Sequence, residues 1–296
     1  MTQLLPAPDL TTLPKSAPSA PPRPRGLRWL AATLLPPLVV FAAVIGLWYV
    51  GSYLLVDPAL RFLLPPPDAV VRKVFSDPAN VDELLRALAF SAQVAMIGLL
   101  ISTVVGIGAA IGMSQARWAE RSLFPYAVVL QTIPILAIVP LFGYWFGFGL
   151  SSRVLTCVLI SLFPIIANTL FGLRSVDPAL HDLFTLHGAG RFTRLVKLQL
   201  PAATPAIVTG LRISAGLSVI GAIVGDLFFQ QGQPGLGQLI YLYPKRLQSE
   251  MLFAAVILAS LFGLVVFVVF GAIGRRLTSW HASAHDRPAT PPVTST

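Results

Sequence analysis

Apolar residues along this chain gather in long unbroken runs, not at the alternating spacing of strands or the one-sided spacing of surface helices. The runs cover approximately 31–56, 84–113, 123–148, 152–173, 205–228 and 251–274. Each approaches or exceeds the ~20 residues that an α-helix needs to cross a hydrocarbon core ~30 Å thick. A fragment such as Val265-Val266-Phe267-Val268-Val269-Phe270 would by itself suit a buried strand. Six runs of this length, with so few charges, predict helices instead, because a helix satisfies its own backbone hydrogen bonds in lipid. The expectation is an all-α membrane protein with six spans. Before the first run, residues 1–28 hold seven prolines among Ser, Thr and Ala, a composition unable to bury a core. No apolar segment lies early enough for an ordinary cleavable signal, so the first span is expected to stay as an anchor. The predicted organisation is a disordered tail over 1–30, a transmembrane domain over 31–276 with a long polar loop at 174–204, and a disordered tail over 277–296.

Composition agrees with the pattern. Of 296 residues, 55% are apolar and only 11% charged, against roughly 25% charged in soluble domains. Mean hydropathy is +0.76. The formal charge of +9 then reads as cytoplasmic loops beside anionic lipid and not as a nucleic-acid surface. With the N-terminus inside, 14 of the 21 Lys and Arg residues fall on the inner side and 7 on the outer, which predicts that both termini are cytoplasmic. That tally counts Arg212 as inner and Arg153 as outer. The single Cys157 permits no intramolecular disulfide.

The polar loop is the most informative segment. Asp177-Pro178 predicts a helix start, with Asp as N-cap and Pro at the first helical position; Leu180, Leu183, Phe184 and His187 then share one face. Gly188 and Gly190 interrupt it. A second segment follows in which Arg191, Arg194 and Lys197 form a stripe at spacing three, expected to lie on the membrane surface, end at Leu200-Pro201 and re-enter the membrane at Pro205. Residues alone leave two readings open: an interfacial anchor, or a surface for a cytoplasmic partner.

Gly188, eleven further residues, then Leu200-Pro201, all before the fifth of six spans, resembles the signature loop of binding-protein-dependent ABC importer permeases. The stretches "LLPPPDAVVRKV" (63–74), "QTIPILAIVPLFGYWFG" (131–147) and "GLSVIGAIVGDLFFQQGQPGLGQLI" (216–240) are similar to the branch serving sulfonate, taurine, nitrate, thiamine-pyrimidine or riboflavin uptake. The resemblance covers roughly 35–275. It implies a six-helix type I importer permease of the inner membrane, with a cytoplasmic coupling helix. It also implies a second permease copy, two ATPase subunits that hold ATP and Mg, an extracytoplasmic solute-binding protein, and surrounding lipid. In that family the loop's first helix docks on the ATPase, which assigns coupling to Asp182, Leu183, Phe184, Thr185, His187, Gly188 and Ala189. Here Leu183 and Phe184 stand where the family carries two alanines, so the docking knob is bulkier.

Polar groups inside spans are the other candidates, because an unpaired polar group in hydrocarbon is costly. Gln131, Thr132, Ser161, Asn168, Ser214, Ser218 and Asp226 are read as the translocation path. For Ser and Thr the competing reading is a hydroxyl bonded to its own helix; Gln131 and Asn168 are the stronger path candidates. Asp226 has two readings, a gate or a carboxylate reaching interfacial water. Pro134, Pro140 and Pro164 mark the third and fourth spans as cavity walls, and "QGQPGLG" is expected to fold back toward the pore. No G-x-x-x-x-G-K-[ST] cradle occurs, so ATP hydrolysis falls to a partner and the chain itself is not expected to be an enzyme. "GIGAAIG" (106–112) lacks the third fingerprint glycine and reads as close helix packing through Gly108 and Gly112. His281 and His285 lack a third ligand, and no metal site is expected. The competing class, a secondary transporter or channel, would need intramembrane charges or an inverted repeat; a membrane-embedded enzyme would need a catalytic cluster.

Overall fold

A computed structural model describes residues 27–278, so most of the two predicted tails, with His281 and His285, lies outside the described residues. All regular elements among the described residues are helical. They are α1 (Leu27–Val50, prolonged by a π-turn at Gly51–Leu55), a 3-10 turn at Pro58–Leu63, α2 (Pro67–Phe75), α3 (Pro78–Gln115), α4 (Arg117–Thr132), α5 (Ile135–Phe146) and α6 (Leu150–Arg174). After these come α7 (Pro178–Leu186), α8 (Arg191–Arg194), a π-turn (Leu195–Gln199), α9 (Leu200–Phe228), α10 (Leu236–Lys245) and α11 (Ser249–Leu277).

Five helices are long and apolar enough to cross a membrane: Leu35–Leu55, Pro78–Gln115, Leu150–Arg174, Arg191–Phe228 and Ser249–Leu277. The sixth expected span is not one helix. α4 and α5 meet at 100° across Ile133-Pro134, and only together do they supply a sixth crossing. Pro134 has no N–H to continue the α4 ladder, and Ile133 before it is pushed to extended geometry (φ −62°, ψ 128°), so the helix must stop there.

The opposite correction applies at Leu200-Pro201. The predicted helix end is absent, and the chain runs as one helical rod from Arg191 to Phe228. A π-turn over Leu195–Gln199, closed by Leu200 N–H to Leu195 C=O, stands directly before Pro201. Its wider turn leaves room for the pyrrolidine ring and needs no N–H from Pro201. Arg191, Arg194 and Lys197 therefore ride on the prolongation of the fifth span instead of a separate surface helix.

α3, α6 and α9 form the centre, and small residues set their spacing. A Cβ on Gly98 of α3 would stand 2.3 Å from Cys157 Cβ, and one on Gly221 of α9 would stand 2.7 Å from Cys157 Cα. Cys157 of α6 is thus clasped between two glycines, which is how helices approach closely in lipid. Gly108 and Gly112 do not serve that purpose here, since nothing lies within 4 Å of a Cβ at either; Gly106 does, 2.8 Å from Ile165 Cγ2. α10 and α2 pack with α11 on one side through Val70, Leu239, Tyr243 and Met251. α1 lies at the margin, tied by Trp48 Nε1 to Pro65 C=O at 3.0 Å and Ser52 Oγ to Leu64 C=O at 2.7 Å.

Candidate functional site

At one end of the bundle, α7 stands out as a capped, exposed helix between α6 and the α8–α9 rod. Asp177 accepts the Ala179 N–H at 2.9 Å and Pro178 occupies the first turn, as its sequence predicts. The far end closes on Gly188 at φ +67°, with Gly188 N–H on Thr185 C=O (3.0 Å) and Ala189 N–H on Phe184 C=O (2.9 Å). This pair of bonds needs a left-handed residue, which explains the glycine. Leu180, Leu183 and Leu186 remain 44%, 47% and 85% exposed, a ridge of leucines facing outward. Asp182 and Thr185 are also exposed, and Phe184 is half-buried. His187 is exposed, with its Nδ1 2.9 Å from Leu183 C=O. Arg194 reaches back from α8: Nε donates to Ala189 C=O at 3.0 Å and a terminal nitrogen to Thr185 Oγ1 at 3.3 Å. Of the basic stripe, Arg194 fixes the angle between α7 and the α9 rod.

Inside the bundle, Ser161 of α6 joins three helices. Its hydroxyl donates to Cys157 C=O (2.7 Å), so Ser102 of α3 supplies the proton in the 2.7 Å contact between the two hydroxyls; Ser214 of α9 donates to Ser161 C=O at 2.6 Å. Ser218 donates to Ala215 C=O (2.9 Å) and Thr132 to Val129 C=O (2.9 Å), both within their own helices. Asn168 does the same through Nδ2 to Pro164 C=O at 2.8 Å. Ser161, Ser214, Ser218 and Asp226 are buried within the protomer, whereas Gln131 and Thr132 are exposed beside the α4–α5 break. The seven residues therefore do not converge on one cavity.

At the other end of the bundle lies a feature that residue counting misplaced. Arg153 is no loop cation: its side chain is fully buried and pairs with Asp226 at 2.9 Å. Asp226 is equally buried and does not reach interfacial water. It also accepts Ser91 Oγ at 2.5 Å, and that same oxygen accepts the Leu236 N–H at 2.8 Å. Arg153 spends its remaining terminal donors on the carbonyls of Phe229, Gln231 (3.1 Å) and Gln233 (3.1 Å), under the ring of Phe90 at 4.9 Å. "QGQPGLG" does fold back, onto this pair. A Cβ at Gly235 would lie 1.9 Å from Asp226 Oδ2, and one at Gly237 would lie 2.1 Å from Ile223 C=O. One guanidinium thus binds α6, α9 and the 229–235 loop together, and Ser91 adds α3. The only sequence signal was Asp226 in an apolar span, since a charge there needs an opposite partner. Arg212, counted with the inner cations, likewise sits inside α9. Two cations that the tally assigned to the two sides of the membrane, Arg153 and Arg212, thus sit on spanning helices beside the already expected Asp226. No group of three His, Cys, Asp or Glu residues that would hold a metal occurs among the described residues.

A helical bundle with long apolar spans, close-packed glycine seams and one outstanding amphipathic helix is a polytopic membrane protein. Residues 102–279 match the family described as the binding-protein-dependent transport system inner membrane component, and the chain belongs to it. It is 32% identical to a formylaminopyrimidine transport permease of Halalkalibacterium halodurans, over 83% of this chain and 96% of that protein. It is 31% identical to a riboflavin transport system permease of Chloroflexus aurantiacus (88% and 96%) and 31% identical to a Bacillus subtilis permease whose name refers to aliphatic sulfonates (86% and 89%). In fold it is similar to a chain of the inward-facing MetNI methionine ABC transporter, with TM-score 0.60 at 16% identity over 68% of this chain and 99% of that one. The architecture is that of a type I ABC importer permease, an integral inner-membrane transport subunit and not itself the ATPase.

Proposed function

We propose that this chain forms the translocation path of an ATP-driven importer for a small polar solute, paired with a second copy of itself and with two ATPase subunits that hold ATP and Mg. An extracytoplasmic binding protein delivers the solute, and both termini face the cytoplasm. The names of the relatives support solutes in the range of sulfonates, pyrimidine precursors and flavins. With the buried Arg153 and the half-buried Arg212 set aside, nine cations of the described residues remain on the α7 side against six on the other, which supports α7 in the cytoplasm.

The observation that carries this reading is α7. A nine-residue helix, capped at both ends and braced by Arg194, presents exposed leucines to no surface among the described residues. Such a rigid unit can transmit a partner's motion directly to α6 and the α9 rod, which it joins. ATPase closure would then move the outer ends of these helices and the Arg153–Asp226 lock. Gln131, Thr132, Ser161, Asn168, Ser214, Ser218 and Asp226 remain the proposed path set, reached as helices separate. The experiment is co-expression with the cognate ATPase subunit. Leu183→Asp is expected to abolish co-purification and ATP-driven uptake in proteoliposomes while leaving the chain's own melting temperature unchanged. Solute flux through the purified chain without any ATPase would overturn the reading in favour of a channel or secondary transporter.

A further inference from the structure

Arg212 stands twelve positions after Leu200, about 18 Å along α9 at ~1.5 Å per residue, within a rod apolar enough to cross the membrane. Its guanidinium lies over the Phe267 ring of α11, with Cζ 4.0 Å from the centroid. Gly271, one turn further along α11, leaves the space: a Cβ there would be 3.2 Å from Arg212 Nε and 3.3 Å from Cζ. Nε is buried and has no hydrogen-bond partner, and none of the ion pairs among the described residues involves Arg212. A charge held this way in an apolar setting calls for an anion.

Arg212 also joins two stretches of one groove between α9 and α11. A cavity of about 610 Å³ runs from it past Gly216, Ile220 and Ser260 toward Ile240; another of about 410 Å³ runs past Thr209 toward Arg275 and Thr278. Apart from Arg275 at the far end the walls are otherwise apolar, and the hydroxyls are taken, Ser260 by Val256 C=O, Thr209 by Pro205 C=O and Thr278 by Gly274 C=O, each at 2.9 Å. Of the acidic side chains among the described residues, Asp226 near the end of α9 is already held by Arg153, and the others lie in the short helices, connecting segments and end turns of the long ones. None of the carboxylates among the described residues pairs with Arg212.

We propose that the α9–α11 groove binds a small organic oxyanion bearing an apolar tail. Arg212 grips the oxyanion and the outer stretch takes the tail. The inference deepens the importer reading by placing an anion-selective contact on the solute's route, and it rests on that reading for its purpose. The open stretch past Thr209 leads from Arg212 toward Arg275 at the α7 end, so a departing oxyanion passes from one cation to the next.

The test uses the full chain in phosphatidylcholine nanodiscs, with butanesulfonate as probe and butyl methyl sulfone as its uncharged counterpart, and dissociation constants read from broadening of the probe's methyl resonance. Butanesulfonate should bind saturably and the sulfone should not. Arg212→Gln should weaken binding about tenfold or more, the scale of a lost charge-assisted contact. Gly271→Ala, which keeps the charge but displaces the guanidinium from Phe267, should weaken it severalfold even if Arg212→Gln folds poorly. Ser260→Ala should bind as wild type. Equal binding by Arg212→Gln or Gly271→Ala, or equal binding of the sulfone, overturns the proposal. So does loss of the sulfonate signal when phosphatidylglycerol is added, which makes the occupant a lipid headgroup, or binding that vanishes on dimerisation, which makes it the second copy. This binding needs no ATPase, so its failure is separable from failure of ATP-driven uptake.

Discussion

Arg153 and Asp226 show how a single residue pair carries a large share of the order at one end of the bundle. Removing one member leaves a buried charge without its counter-charge, which costs about 3–5 kcal/mol when a buried pair is broken. Asp226→Ala and Arg153→Ala are each expected to lower the melting temperature of the full chain sharply. The Arg153→Leu, Asp226→Leu double variant should recover only part of the loss, because the carbonyls of Phe229, Gln231 and Gln233 lose their donor as well. Gly188 is a lesser case. Alanine at φ +67° costs about 1–2 kcal/mol, and Gly188→Ala should fray α7 and weaken ATPase co-purification with little change in overall melting. Tyr243 offers a pH signature. Burial, and then the Glu83 carboxylate 3.0 Å from its hydroxyl, hold the phenol protonated above its ordinary range. A raised acid of this kind contributes stability below its unfolded value near ~10, and the contribution is lost as pH climbs past it. Thermal melting between about pH 9 and about pH 11 should fall with pH in the wild type and fall less steeply in Tyr243→Phe.

Elements reveal where residue patterns mislead. α7 was legible because caps are local: Asp177, Pro178 and Gly188 each act within a turn of themselves, so the sequence alone placed both ends. The two prolines that decide the longer elements behave oppositely. Pro134 ends a helix and turns the chain through 100°, whereas Pro201 is absorbed by a π-turn inside a continuous rod. Nothing local to Pro201 chooses between stopping and continuing; the packing of Leu195, Leu200 and Ala203 beside Leu173 holds the rod straight on into α9. Arg194 is the hinge brace, and its contacts with Ala189 and Thr185 are partly exposed, so Arg194→Ala should leave stability within about 0.5 kcal/mol. It should nonetheless reduce solute moved per ATP in the reconstituted complex, because α7 would then swing without carrying the rod. A matched loss of uptake and ATPase activity would assign Arg194 to assembly instead.

At the scale of the whole molecule, Cys157 is the only cysteine and is buried between Gly98 and Gly221. The folded chain is therefore expected to resist maleimide until denatured. In a Cys157→Ala background, single cysteines at Thr185 and at Tyr241 should be labelled from opposite sides of sealed vesicles, with Thr185 on the cytoplasmic side; labelling from one side would refute the proposed orientation. The sequence by itself determined that the chain is helical and membrane-spanning and where most spans lie, because hydrocarbon forces each span to be long, apolar and internally hydrogen-bonded. It also determined the caps of α7 and the family signature of that loop, since both depend on residues close together in the chain. Only the tertiary structure decided that Arg153 is buried and bound to Asp226 at a distance of 73 residues, that Gly98 and Gly106 rather than Gly108 and Gly112 form the close seams, and that Arg212 faces a groove. Each of these depends on which helix faces turn toward one another, and a uniformly apolar helix carries no pattern along its own sequence that fixes its rotation.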